Sequence, residues 1–160
     1  MLIESPQRSR HRFTMTLDAT PQRVFPLFSP ALEQEWGPSW DPNLVISSSG
    51  MAEEACIFIT PSTPHDAIWV VTRLDPDHHF VELLKVVPDH TMGTFQIQLE
   101  TDNGVATQAA ISCTYTAMGP EGKRFVEQLT PEHWNRLMKE WERSLNHFLT
   151  TGKKQAQKQT

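Results

Sequence analysis

The sequence predicts an α+β domain in which seven antiparallel strands, with two short helices after the first, precede one long C-terminal helix. Three observations predict it. Between His11 and Ala19, apolar Phe13, Met15 and Leu17 alternate with Thr14, Thr16 and Asp18, the period of a half-buried strand. After Pro42 come six more strand-like runs separated by turn-like segments. From Trp134 the period changes: Trp134, Leu137, Met138, Trp141, Leu145, Phe148 and Leu149 share one helical stripe, with Asn135, Arg136, Lys139, Glu142, Arg143 and Asn146 on the other side.

The elements follow in order. After the first strand, Thr20-Pro21 and Ser29-Pro30 each place a capping residue before a proline at the first helical position, so two short helices are expected. Pro26 lacks the N–H a helix interior needs, which keeps the first one brief. The second runs from Pro30 to Trp36 and stops at Gly37-Pro38. The six later strands are "LVIS", "ACIFIT", "DAIWVVTRL", "FVELLKVV", "GTFQIQLET" and "VATQAAISCTYTA". In the last two, Phe95, Ile97 and Leu99 oppose Gln96, Gln98 and Glu100, and Ala109, Ile111, Cys113 and Tyr115 oppose Gln108, Ala110, Ser112 and Thr114. One sheet face is therefore covered and the other wet, the pattern of an antiparallel meander. Asn103-Gly104 is a hairpin turn between these two strands. "EGKRFVEQL" predicts a shorter helix bent against the long one, which Thr130-Pro131 starts and Gly152 ends.

Composition bounds the function classes. At 160 residues the chain fits one domain with a core of its own, and five Trp and eight Phe make that core or a cavity wall aromatic. A net charge of −5, with basic residues clustered only in "RSRHR" and "KKQAQKQ", argues against nucleic acid as a partner. Residues 1–10 and 153–160 are expected to be disordered ends around a domain spanning 11–152. No apolar run reaches the length of a signal segment or a membrane span, so a cytoplasmic location is expected. Cys56 and Cys113 fall inside strand-like runs and read as small buried hydrophobes, a disulfide between them remaining open. No spacing matches a zinc site, a phosphate loop, a nucleophile elbow or a dinucleotide fingerprint, and neither a metal nor a cofactor is expected. "DPDHH", residues 75–79, reads as a turn, because adjacent His78 and His79 on a strand would face opposite ways.

The order strand, two small helices, six strands and closing helix resembles the START-like helix-grip superfamily, also described as polyketide cyclase/dehydrase and lipid-transport proteins. The likeness covers residues 11–152 and rests on "LDATPQRVFPLF", "WGPSWDP", "IWVVTRLDP" and "HWNRLMKEWERSLNHFLTTG". It implies a curved sheet wrapped around the long helix, with a cavity between them whose mouth is formed by the small helices and loops. Trp36 and Trp40 would stand at that mouth, or pack the short helices onto the sheet. Phe58, Trp69, Leu83, Phe95 and Ile111 from strands, with Trp134, Met138 and Trp141 from the helix, would line it; their periodicity alone describes a filled core equally well.

Polar residues sharpen the reading. Arg73 has the strand parity of Trp69, and Glu82 and Lys85 have opposite parity, so one of the latter two must face the covered side. An Arg73–Glu82 pair across neighbouring strands can be a structural ion pair or a ligand anchor. Tyr115 has inward parity, and its hydroxyl can orient a ligand, act as an acid or simply meet a backbone carbonyl. His65, at the start of a strand, can face the mouth or water. The leading expectation is a cavity that binds a small hydrophobic or aromatic molecule of lipid or polyketide type. A cyclase/dehydratase using Tyr115, Arg73, Glu82 or His65 is the second. An interaction protein like the activators of the heat-shock ATPase chaperone, which share this fold, is the third.

Overall fold

The computed structural model describes residues 1–101 and 104–156. The chain runs β1 (Arg8–Leu17), α1 (Pro21–Val24), a 3-10 turn (Phe25–Phe28), α2 (Pro30–Trp36), β2 (Leu44–Ile46), β3 (Ile57–Thr60), β4 (Ala67–Asp75), β5 (Phe80–Val87), β6 (Thr91–Glu100), β7 (Thr107–Ala117), α3 (Pro120–Gln128) and α4 (Pro131–Thr151). The sheet is antiparallel in the order β1-β7-β6-β5-β4-β3-β2, so β1 and β2 are its edges. Of the predicted hairpin turn, Asn103 lies outside the described residues, while Gly104 has φ of 75°. The first strand starts at Arg8 rather than His11, because Arg8, Ser9 and Arg10 pair with Thr116, Tyr115 and Thr114 of β7.

Pro26 acts as its chemistry requires: α1 gives way after Val24 to a 3-10 turn. Thr130 caps α4 by accepting a hydrogen bond from the His133 N–H, and Gly152 closes it in the left-handed conformation at φ 68°. The buried apolar stripe of α4 (Trp134, Met138, Leu145 and Leu149) packs into one cluster with Met15, Leu17, Val24, Val81 and Leu99.

The other side of α4 does more than meet solvent. Glu142 accepts a hydrogen bond from the Thr16 N–H at 2.8 Å. Asn146 accepts one from the Asp18 N–H at 2.9 Å and donates one to the Thr16 carbonyl at 2.9 Å. These residues occupy the backbone groups that an edge strand otherwise leaves unpaired. Gly122 in α3 serves a close approach, since a Cβ there would lie 1.7 Å from the His90 carbonyl oxygen.

Cys56 and Cys113 are both buried and free. Asp75 to His79 forms a turn in which the Asp75 carboxylate accepts the His78 N–H at 3.2 Å and meets His78 Nδ1 at 3.0 Å. Among the described residues, no helix is long and apolar enough to cross a membrane.

Candidate functional site

A cavity of about 340 Å³ lies between the sheet and the first half of α4. Strands β3 to β7 contribute Phe58, Trp69, Leu83, Lys85, Phe95, Ile97, Ile111 and Tyr115, and α4 contributes Trp134, Leu137, Met138 and Trp141. The helical spacing explains the α4 set, because positions i, i+3, i+4 and i+7 share a face. The exposed lining residues Ser39, Asp41, Pro61 and Leu137 mark the mouth.

The two tryptophans of the "WGPSW" turn part company. Trp40 lines the cavity; its indole N–H donates to the Pro30 carbonyl at 3.0 Å and its ring sits edge-on to Phe58, Trp69 and Trp141. Gly37 permits this return, since a Cβ at Gly37 would lie 3.0 Å from Trp40 Cβ and 2.8 Å from the Glu33 carbonyl. Ser39, at φ 57°, completes the reversal. Trp36 is fully buried behind the wall, donating to the Leu27 carbonyl at 2.8 Å and contacting Phe28 and Trp141 edge-on. It supports the wall and is not among the lining residues.

The four polar residues singled out from sequence separate as well. Tyr115 lies in the cavity wall, and burial pushes its phenol above the ordinary range. Arg73 and Glu82 are paired in register across β4 and β5, yet lie outside the cavity. A β-bulge between Val71 and Arg73 breaks the alternation that Trp69 and Val71 set, and turns Arg73 outward. Its guanidinium lies 5.1 Å from the centre of the Phe80 ring and 3.9 Å from Asp75. Glu82 accepts hydrogen bonds from Gln96 Nε2 at 2.8 Å and Thr72 Oγ1 at 2.9 Å, which, with the charge of Arg73, hold its carboxyl below the usual range. His65 is exposed, its Nε2 3.9 Å from Asp89.

Two further ionisable groups lie in the wall: Glu33, which the sequence reading did not single out, and Lys85, which it left as an alternative to Glu82. Glu33 of α2 is buried, and desolvation pushes its carboxyl up to about 8. It was legible in principle, standing three residues from both Pro30 and Trp36 and so on their buried face. Lys85 is the charge that faces inward from β5, on the same side as Val81, Leu83 and Val87. Its ammonium sits 4.9 Å from the centre of the Trp69 ring, and desolvation holds it below the ordinary lysine range. A protonated acid on one wall and a cation on another add a hydrogen-bond donor and a positive charge to a chamber lined mainly by apolar side chains.

No known protein-family profile matches the chain, and no curated protein sequence matches it. Solved structures do. Norcoclaurine synthase from Thalictrum flavum, in complex with dopamine and hydroxybenzaldehyde, aligns over 96% of this chain and 91% of its own, with 14% identity and a TM-score of 0.65. A protein from Rhodobacter sphaeroides aligns over 93% of this chain and 100% of its own, with 17% identity and a TM-score of 0.65. Ara h 8.0201 aligns over 91% and 99%, with 11% identity and a TM-score of 0.59. The chain shares the helix-grip fold, a seven-stranded antiparallel sheet with a long C-terminal helix.

Proposed function

We propose that this protein binds a small, flat hydrophobic or aromatic molecule in the chamber between its sheet and α4. The observation that carries the reading is the chamber itself: about 340 Å³, walled by Trp40, Phe58, Trp69, Phe95, Trp134 and Trp141, with few polar groups. Ligand sites have this size and composition, whereas close-packed cores keep few voids larger than a water molecule. The likeness to a norcoclaurine synthase that holds dopamine and hydroxybenzaldehyde supports an aromatic ligand. The test is titration with a graded series of neutral aromatic compounds, followed by tryptophan emission, in the parent and in Ile111→Phe. Ile111 lines the chamber, so the larger ring takes up space the ligand needs. Saturable binding that weakens at least about tenfold in the variant, equivalent to about 1.4 kcal/mol, is expected. Equal affinities would move the ligand out of the chamber.

A second reading is favoured by Glu33. A carboxylic acid that stays protonated near neutral pH can donate a proton or a hydrogen bond to a bound carbonyl, as cyclase or dehydratase chemistry requires. Tyr115, also in the chamber wall, is a second neutral donor. On this reading Glu33→Gln retains ligand affinity within a few-fold and loses turnover. Retained turnover removes Glu33 from the chemistry.

A further inference from the structure

One row of residues crosses the sheet along the chamber wall. Register pairs place Phe58 beside Trp69, Trp69 beside Lys85, Lys85 beside Gly93 and Gly93 beside Tyr115. The Phe58 and Trp69 rings stack with centroids 5.5 Å apart, and the Lys85 ammonium lies 4.9 Å from the Trp69 centroid. Gly93 carries no side chain, and the rings of Phe95 and Tyr115 lean over it: a Cβ there would meet each at 3.0 Å. Phe58, Trp69, Lys85, Phe95 and Tyr115 all line the chamber. The row therefore presents one cation among four aromatic rings.

That cation has no anionic partner. Among the described residues, no carboxylate forms an ion pair with Lys85, and no acceptor takes a hydrogen bond from it. A ring face offsets part of the cost of drawing an ammonium out of water, but a half-buried charge that faces an aromatic chamber without a counter-charge still costs free energy. The other ionisable groups in the wall do not neutralise it. Glu33 is held protonated by burial, Tyr115 is a neutral phenol, and Asp41 at the mouth is exposed and takes a hydrogen bond from Gln34 Nε2 at 2.9 Å.

We infer that the chamber takes an organic acid, a flat apolar body whose carboxylate oxygen seats on the Lys85 ammonium. The aromatic row accepts the body by stacking, and the carboxylate supplies the charge that the protein withholds. Stacking alone would accept any flat molecule; Lys85 makes the site select for an acid. This rests on the ligand-binding reading above and narrows it.

The test compares 2-naphthoate with its neutral counterpart 2-naphthamide by isothermal titration at neutral pH, in the parent, Lys85→Met and Lys85→Arg. The parent is expected to bind the acid at least about tenfold more tightly than the amide. Lys85→Met is expected to bring that ratio to about one, and Lys85→Arg, which keeps the positive charge, to retain most of it. Equal binding of acid and amide by the parent, or an acid preference that survives in Lys85→Met, overturns the inference while leaving the chamber as a ligand site. Binding of neither compound overturns both.

Discussion

Replacing Glu33 by glutamine keeps the shape of the side chain and removes its ionisation. In the folded protein desolvation raises this carboxyl from 4.5 to about 8, whereas in the unfolded chain it ionises near its ordinary value. Below that ordinary value both states are protonated and the group contributes no pH dependence. Between the two values the unfolded state has lost its proton and the folded state has kept it, so stability falls as pH rises. The slope is about 1.4 kcal/mol per pH unit, and the full loss, reached above the folded-state value, is roughly 5 kcal/mol as an order of magnitude. Glu33→Gln is therefore expected to gain little stability over the parent near about pH 5 and to gain progressively more toward about pH 8. Urea unfolding followed by far-ultraviolet circular dichroism at several pH values across this range measures it, and the subtraction cancels every other titrating group. A parent–variant difference that stays constant with pH would refute the claim that Glu33 is protonated in the folded state.

Other perturbations address separate parts of the account. Asn146→Ala removes two hydrogen bonds to the β1 backbone; it is expected to cost about 1 kcal/mol and to speed hydrogen exchange at the Asp18 amide, and unchanged exchange there would show that α4 does not seal that edge. Gly122→Ala drives a Cβ against the His90 carbonyl and is expected to lower stability by about 2 kcal/mol or more in chemical denaturation, whereas a neutral result would mean that α3 shifts freely. His11 is buried against the Trp134 ring at 5.5 Å, and desolvation holds it below its ordinary value of 6.5. Its folded form resists protonation, so the protein is expected to lose stability as pH falls below that value, and His11→Phe is expected to lose less over the same range. A parallel acid-side loss in parent and variant would exclude His11 as its source.

The strands were legible because their alternation is a backbone property: where Phe95, Ile97 and Leu99 face in, Gln96 and Glu100 must face out. The long helix was legible for the same kind of reason, as were its cap at Thr130 and its end at Gly152. Arg73 shows where parity fails, because a bulge inserts one residue and nothing in "WVVTRL" announces it. Lys85 was left as an alternative to Glu82, and the strand's own parity with Val81, Leu83 and Val87 decides between them. Glu33 has the spacing of buried Pro30 and Trp36, but a carboxylate is ordinarily solvated and a seven-residue helix repeats that spacing too few times to overrule its chemistry. Trp36 and Trp40 look equivalent in sequence, yet a residue at φ 57° between them sends one into the core and the other along the chamber wall. The interaction of Glu142 and Asn146 with β1 joins residues more than a hundred positions apart, which no local pattern contains.

The central claim is that the chamber between the sheet and α4 receives a ligand, and the five indole N–H groups report on it directly. Trp40, Trp69, Trp134 and Trp141 line the chamber, while Trp36 lies behind its wall with its N–H on the Leu27 carbonyl. Titration of nitrogen-15-labelled protein with 2-naphthoate, observed by proton–nitrogen correlation, is expected to shift the four lining indole signals in a saturable way and the Trp36 signal least. No shift at millimolar ligand, or shifts confined to amides on the solvent face of the sheet, would contradict the account.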